Sequence, residues 1–294
     1  MDVTLETSGP PWSGDDVVGL ISFDPVTAED LGRLPALRVI ATPSVGFEHI
    51  DVAAATQRGI WVCHVPDYCV DEVADHALAL LLALVRGVVE LDRSVGEGGW
   101  EAKAAGPLRR LRDIRLGVVG FGRIGRALTE RLLALGVDVW ATDALVPDDT
   151  IAAAGARPST LDELLRSCDA ISLHTPLTAE TDGLLGAREL ALLPRGAYLV
   201  NVARGGLVDE AAVIAALESG QLAGAALDTL RSEPPATAPR TSRLIVTPHA
   251  AWYSEHAEAE VHRRAAESVQ VALEGSRPPR AVNEIHDHAR GSPA

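Results

Sequence analysis

One stretch constrains the fold of this chain more than any other. Residues 115–143, RLGVVGFGRIGRALTERLLALGVDVWATD, give in order a strand pattern, a glycine-rich turn, a helix pattern and a second strand that leads to Asp143. In such a turn, Gly120 permits the tight bend and Gly122 lets the backbone approach a pyrophosphate. Gly125 lets the helix pack closely on the strand. The stretch therefore predicts a Rossmann unit that binds a dinucleotide.

The cofactor is predicted to sit at the start of this helix. Arg123 and Ile124 lie in the first helical turn, whose free N–H groups and positive dipole end favour phosphates. Asp143 lies at the spacing of about 20 residues where a carboxylate meets the ribose hydroxyls. It would repel a 2′-phosphate and no arginine follows it in DALVPDD, so NAD is favoured over NADP. The alternatives are a turn that merely needs glycine and a solvated carboxylate at a strand end.

Strand and helix patterns alternate through most of the chain, from VVGLISF near the start to RLIVTP near the end. Strands that are apolar throughout and alternate with helices predict parallel sheets covered on both faces. The Gly- and Ala-rich residues 94–108 interrupt this alternation. We therefore predict two doubly wound α/β domains, one formed by residues 1–97 and 255–294 and the other by 98–254. The polar, proline-bearing end is expected to be loose.

Composition narrows the class of protein. The chain has 294 residues and a formal net charge of −15, which argues against a nucleic-acid partner. Three cysteines in a chain of this size favour a reducing cytoplasm over a disulfide framework. The start of the chain has no signal-peptide pattern. The longest apolar run, residues 77–85, is too short to span a bilayer, and we expect a buried helix there.

Polar side chains stand at the ends of three later strand patterns: Arg204, then Asp228 with Glu233, and finally His249. Ligands bind at the carboxyl ends of the strands in an open parallel sheet. Taken singly, Arg204 has an ordinary explanation as an ion-pair partner, Glu233 as a turn residue, and His249 as a loop histidine. Together they match what the reduction of a carbonyl needs, because arginine binds a carboxylate and histidine transfers a proton. A carboxylate beside the histidine orients it and stabilises its charged form.

The order and spacing of these motifs resemble the D-isomer-specific 2-hydroxyacid dehydrogenase family. The resemblance covers roughly residues 15 to 284 and rests on VGFGRIG, LHTPLTAETDGLL, LVNVARGGLVDE, GAALDTLRSEP and TPHAAWYSE. Within the family, SEP and TPHAAWYSE are most similar to the C-terminal-binding proteins and their bacterial relatives. The resemblance implies an NAD-dependent oxidoreductase that interconverts a 2-oxo acid and a (D)-2-hydroxy acid.

The family resemblance also implies residue roles. His249 would be the acid/base, Glu233 its partner, and Arg204 the group that holds the substrate carboxylate. Trp252, one helical turn after His249, would face the substrate's side chain. The cofactor groove would be lined by Thr175, Pro176, Thr181, Val202, Ala203 and Asp228, with Asp228 at the nicotinamide carboxamide. Val45 and Gly46 belong to the implied substrate loop, residues 44–51.

Two departures from the family pattern bear on these expectations. Thr42 stands where the C-terminal-binding proteins carry an arginine, which removes an expected contact to the substrate. The chain also shows one strand–helix unit fewer at its start, so the flavodoxin-like substrate domain is expected to be clipped. The family implies a homodimer formed through the cofactor domain.

Alternatives remain open at this point. Residues 63–76, CHVPDYCVDEVADH, hold two cysteines and two histidines, but their spacing matches no zinc pattern, so no metal is predicted. The chain could be an NAD-sensing interaction protein in the manner of the C-terminal-binding proteins. It could also keep the chemistry and act on another oxo compound, such as a phosphonate.

Overall fold

The structure, a computed structural model, describes residues 9–237 and 239–285. The strands are β1 (Gly19–Ile21), β2 (Val39–Ala41), β3 (Trp61–Cys63), β4 (Arg115–Val119), β5 (Asp138–Thr142), β6 (Arg157–Pro158), β7 (Ala170–Leu173), β8 (Ala197–Asn201), β9 (Leu222–Leu227) and β10 (Leu244–Val246). The α-helices are α1 (Ala28–Gly32), α2 (Val52–Gln57), α3 (Val70–Arg86), α4 (Val88–Gly96), α5 (Arg123–Ala134), α6 (Asp148–Ala153), α7 (Leu161–Ser167), α8 (Ala187–Leu192), α9 (Glu210–Glu218) and α10 (Glu255–Leu273).

The chain divides into two compact units. The larger unit is Cys69–Tyr253, and the smaller one combines Met1–Tyr68 with Ser254–Ala294. Residues 69–97, which the predicted boundary assigns to the substrate domain, therefore fall in the larger unit. The reason is packing, because the apolar helix α3 lies against α5, β8 and β9 of that unit.

The larger unit contains a seven-stranded sheet in the order β10-β9-β8-β7-β4-β5-β6. All its neighbouring strands run parallel. The strand order reverses at β4, whose neighbours are β5 and β7, and a reversal of this kind opens a crevice at the carboxyl ends of the strands. The predicted α/β class with a Rossmann-type domain is confirmed.

The smaller unit contains a parallel sheet of three strands within the described residues, in the order β1-β2-β3. Leu20, Ile40 and Val62 are aligned across it and belong to one apolar cluster with Leu31 of α1 and Ala55 of α2. Neighbouring residues of a strand point to opposite faces. On the opposite face, a methyl group on Gly19 would lie 2.9 Å from Val269 of α10. Helices therefore cover both faces of this sheet.

The last part of the chain is anchored as far as it is described. Ala281 forms an isolated bridge with Cys63. The Asn283 side chain accepts a hydrogen bond from the Val62 amide and donates one to the Ile60 carbonyl. The end that is expected to be loose is therefore fixed up to this point, and residues 286–294 lie outside the described residues.

Among residues 9–237 and 239–285, no helix is long and apolar enough to cross a membrane. No group of three or more His, Cys, Asp or Glu side chains in the same ranges is placed to hold a metal ion.

Candidate active site

The three glycines of the predicted dinucleotide turn differ in what surrounds them. Gly120 has a φ of 96°, and a Cβ there would lie 2.5 Å from the backbone of His174. A Cβ on Gly125 would lie 2.2 Å from the carbonyl oxygen of Gly120. A Cβ on Gly122 would meet nothing within 4 Å. Packing therefore requires glycine at positions 120 and 125. At position 122 there is open space beside the turn.

The start of α5 can receive an anion. Gly122 is its N-cap, no side chain caps it, and its first turn, which includes Arg123 and Ile124, has no acidic residue. By contrast, the side chains of Thr160 and Ser254 cap α7 and α10. The first N–H groups of a helix need partners, and a phosphate satisfies them. The open space at Gly122 and this uncapped helix start together fit the pyrophosphate of a dinucleotide.

Asp143 directly follows β5 and is held by backbone amides. Its Oδ2 accepts a hydrogen bond of 2.6 Å from the Phe121 amide, within the glycine turn. Its Oδ1 accepts hydrogen bonds from the amides of Leu145 and Val146, at 2.8 and 3.0 Å. The carboxylate is therefore fixed next to the turn, and its predicted contact with ribose stays a prediction.

The loop after β7 carries Thr175, Pro176 and Thr181. The Thr181 hydroxyl donates to the Pro176 carbonyl and accepts from the Thr178 amide, both at 2.7 Å. These two bonds close the loop that the family resemblance places along the cofactor groove.

His174 stands at the start of the same loop and is half-buried. Its Nε2 lies 2.8 Å from the Ser172 hydroxyl, and burial lowers the pKa of His174 to about 4. The buried Nδ1 has no hydrogen-bond partner within the described residues. The imidazole is therefore neutral near pH 7.

The turn after β8 presents Val202, Ala203 and Arg204. It is fixed by Asn201, a fully buried residue at the end of β8. The Asn201 side chain accepts a hydrogen bond of 3.1 Å from the Ala203 amide and donates one of 2.9 Å to the Arg204 carbonyl. Arg204 Nη1 in turn donates to the Ala203 carbonyl at 2.8 Å.

Glu233 and His249 form a direct pair. His249 Nδ1 lies 2.7 Å from Glu233 Oε2. The other carboxylate oxygen, Oε1, accepts a hydrogen bond of 2.7 Å from the Leu230 amide, which orients Glu233. A carboxylate acceptor keeps the proton on Nδ1, so Nε2 is the nitrogen that gains and loses a proton. The His249 side chain is 44% exposed and can reach a ligand.

Asp228, at the end of β9, is buried and bonded within the protein. Oδ1 accepts hydrogen bonds from the Thr247 hydroxyl at 2.5 Å and the Ala250 amide at 2.9 Å. Oδ2 accepts one of 3.0 Å from the Ala251 amide. Burial by itself would raise the pKa of Asp228, but hydrogen bonds from His76, Thr247 and the two amides bring it below its usual value. Its predicted contact with the nicotinamide carboxamide stays a prediction.

The loop at 44–51 lies in the smaller unit and is braced from inside. The Val45 carbonyl lies 2.8 Å from His64 Nδ1, and the Ser44 hydroxyl donates to the Gly46 carbonyl at 2.5 Å. Within residues 9–237 and 239–285, the amides of Val45 and Gly46 have no hydrogen-bond acceptor. Thr42 is fully buried, and its hydroxyl lies 2.8 Å from the Ser44 hydroxyl. Thr42 thus stabilises the loop from its buried side, through Ser44.

Trp252 precedes α10, and its predicted position facing the substrate's side chain stays a prediction. The helix begins only at Glu255, because the Ser254 side chain caps it through the Ala257 amide at 2.9 Å. Trp252 lies in the preceding turn and packs edge-on against Tyr253, with ring centroids 5.6 Å apart.

Sequence reasoning missed several polar residues that support this site: Asn201, Thr247, His174 and His76. Asn201 and Thr247 sit at the carboxyl ends of β8 and β10, where ligands bind in an open parallel sheet, which is the same signal that marks Arg204 and His249. His76 lies inside the apolar helix α3, so only its polarity against that background marks it.

The strand order, the glycine turn and the uncapped start of α5 define a Rossmann-type protein that binds a dinucleotide. A match to a known family narrows this class to one family. Residues 78–251 match the model of the D-isomer specific 2-hydroxyacid dehydrogenase NAD-binding domain. This chain belongs to the D-isomer specific 2-hydroxyacid dehydrogenase family, and NAD is its cofactor.

Individual relatives agree with this assignment. The chain is 38% identical over 277 residues to glyoxylate reductase of Korarchaeum cryptofilum, covering 92% of this chain and 83% of that protein. It is 38% identical over 270 residues to D-3-phosphoglycerate dehydrogenase of Mycobacterium tuberculosis, covering 91% of this chain but only 51% of that protein. Among solved structures, D-lactate dehydrogenase from Aquifex aeolicus complexed with NAD and lactic acid matches with a TM-score of 0.82. The two are 30% identical, and the match covers 92% of this chain and 86% of that one.

Proposed function

We propose that this protein reduces a small 2-oxo acid to the (D)-2-hydroxy acid with NADH, and catalyses the reverse reaction with NAD. The observation that carries the proposal is the 2.7 Å contact between His249 Nδ1 and Glu233 Oε2. NADH, when bound, supplies the hydride that the carbonyl carbon needs. The side chains must then supply a proton to the carbonyl oxygen and hold the substrate carboxylate.

His249 is the proposed proton donor. Glu233 fixes the proton on Nδ1, so the proton of Nε2 is the one available to the substrate oxygen. In the reverse direction, Nε2 takes the hydroxyl proton back. Glu233 also stabilises the imidazolium that is required for reduction.

Arg204 is the proposed carboxylate ligand. Its backbone is fixed by Asn201, and a guanidinium binds a carboxylate through two parallel hydrogen bonds. Hydrogen bonds of this kind set the orientation of the substrate as well as its affinity. Arg204 is therefore assigned to binding and polarisation rather than to proton transfer.

Glyoxylate is the first substrate to test, because a glyoxylate reductase is 38% identical over most of the chain. Relatives that act on other acids include a glycerate dehydrogenase of Methylorubrum extorquens, 34% identical over 268 residues. The panel therefore includes 2-oxo acids with longer and charged side chains, and 2-oxo phosphonates. The acid with the highest kcat/KM identifies the class of side chain that the site accepts.

The experiment follows NADH oxidation by the purified protein with each member of the panel, and then determines the configuration of the product. We expect turnover with at least one 2-oxo acid and a product of the D series. A folded protein that binds NADH but oxidises it with no member of the panel contradicts the proposal. Cofactor-dependent self-association without turnover would instead support a role as an NAD-sensing protein like the C-terminal-binding proteins.

We also propose that the chain forms a homodimer through its larger unit. Val88 and Val95, seven residues apart on one side of α4, are 54% and 50% exposed, and Trp100, five residues after Val95 in the sequence, is 91% exposed. Apolar side chains exposed together in one short segment mark an interaction surface. A solution mass equal to one chain, measured by light scattering, would overturn this part of the proposal.

A further inference from the structure

The proposed function uses His76 neither for proton transfer nor for binding substrate or cofactor. It lies on α3, and its side chain is 25% exposed. Its Nε2 lies 3.2 Å from the Thr247 hydroxyl and 3.5 Å from Asp228 Oδ1. Because the Thr247 hydroxyl donates its proton to Asp228, its oxygen accepts the proton on His76 Nε2. A chain of hydrogen bonds therefore runs from His76 through Thr247 to Asp228.

The other end of this chain of hydrogen bonds is the backbone around His249. The carbonyl of Asp228 accepts from the His249 amide at 2.8 Å, and its carboxylate accepts from the amides of Ala250 and Ala251. One residue thus binds three consecutive amides. We call this arrangement the Asp228 clamp.

The Asp228 clamp holds the backbone of His249 in an unusual conformation. His249 has a φ of 53°, in the left-handed region that residues with a Cβ rarely adopt. Such a conformation persists only when the surrounding structure holds it. The direction of the imidazole follows from this backbone, so loosening the clamp displaces Nε2 from its working position.

We propose that His76 is a positioning residue of the active site, which holds the Asp228 clamp in place through Thr247 and so fixes the direction of His249. The inference rests on the proposed role of His249 in proton transfer. His76 contacts neither substrate nor cofactor in this account and acts only through Thr247 and Asp228. A histidine that merely fills space in the core would affect stability and leave the chemical step alone.

The test compares His76→Phe, His76→Gln and Thr247→Val in the full chain, with His256→Phe on the exposed surface of α10 as the matched control. His76→Phe keeps a ring but loses the donor, whereas the amide nitrogen of glutamine can replace Nε2. Thr247→Val keeps the shape of the side chain and removes the hydroxyl. We expect kcat to fall about tenfold in His76→Phe and in Thr247→Val, with an unchanged KM for NADH. His76→Gln should recover most of the loss, and His256→Phe should match the wild type.

The double variant His76→Phe/Thr247→Val decides whether the two residues act as one unit. If they do, its kcat falls by clearly less than the product of the two single effects, because the His76–Thr247 hydrogen bond is lost in both single variants and can be lost only once. Multiplied effects, or full kcat in a folded His76→Phe variant, would overturn the proposal. If His76→Phe does not fold, the smaller substitution His76→Ala, which also removes the donor, carries the test.

Amide hydrogen exchange gives a readout that does not depend on turnover. We expect the amides of Ala250 and Ala251 to lose protection about tenfold in His76→Phe and Thr247→Val, and to keep it in His256→Phe. Unchanged protection would overturn the inference. If the wild type turns over no 2-oxo acid, the proposed function fails, while the exchange data still decide whether His76 holds the clamp.

Discussion

Asp228 accepts hydrogen bonds from the backbone amide of His249 and from the amides of the two residues that follow it. Its carbonyl accepts a 2.8 Å hydrogen bond from the His249 amide, while its carboxylate accepts from the next two amides. The side chain that the proposal uses for proton transfer therefore stands on a left-handed backbone that a buried carboxylate maintains.

Asp228→Asn tests this relationship. An amide has only one acceptor oxygen, so the NH2 group would face one of the present donors and leave it unsatisfied. We expect the free energy of unfolding to fall by about 2 kcal/mol and kcat to fall by about a hundredfold. Urea unfolding and steady-state kinetics measure the two effects. Wild-type kcat in this variant would contradict the positioning role.

The glycine turn gives a matched pair of substitutions. A Cβ at position 125 would press on the Gly120 carbonyl, and we expect Gly125→Ala to destabilise the fold by about 3 kcal/mol. A Cβ at position 122 meets no protein atom within 4 Å, so Gly122→Ala should change stability by less than about 0.5 kcal/mol. The same methyl group would occupy the space proposed for the pyrophosphate. Titration with NADH should therefore show weaker binding for Gly122→Ala. Undiminished affinity would show that the pyrophosphate does not bind beside Gly122.

His174 predicts a pH dependence of stability. Its pKa is lowered from 6.5 to about 4 by burial, so the unfolded chain binds a proton that the folded chain does not. The stability from burying a neutral imidazole is complete above pH 6.5 and is lost as the pH falls toward 4. At full extent the loss is about 3 kcal/mol. Urea unfolding of His174→Gln should show a smaller loss over this range, and an unchanged slope would contradict the assignment.

Asp143 predicts the choice between the two cofactors. Asp143→Ala removes the charge that repels a 2′-phosphate, together with the three amide contacts of the carboxylate. We expect the affinity for NADH to fall and the ratio of NADPH to NADH affinity to rise by about tenfold. Parallel fluorescence titrations with both cofactors measure this ratio. An unchanged ratio of the two affinities would show that Asp143 does not determine the choice between NADH and NADPH.

Features that local sequence rules determine can be predicted from a short stretch of the chain. The capping box of Thr160 and Glu163 opens α7, and Gly220 follows the end of α9 with a φ of 71°. The glycine turn joins β4 to α5 as predicted. Each of these features depends on residues only a few positions apart, so a short sequence pattern is enough to predict it.

The features that depend on distant contacts were not predictable in this way. The boundary at 97 separated α3 from the larger unit because the break in composition follows that helix, whereas its packing partners β8 and β9 come more than a hundred residues later. His76 and Thr247 meet only in three dimensions, so neither motif nor spacing marks their contact.

The central claim is that His249, held by Glu233, transfers the proton, and one comparison tests it most directly. It measures NADH oxidation with the best 2-oxo acid for the wild type, His249→Ala and Glu233→Gln, with His256→Ala as the control. The account predicts that His249→Ala lowers kcat by about a thousandfold and that Glu233→Gln lowers it less, while both still bind NADH and the control stays at the wild-type rate. A folded His249→Ala variant that turns over at the wild-type rate would contradict it.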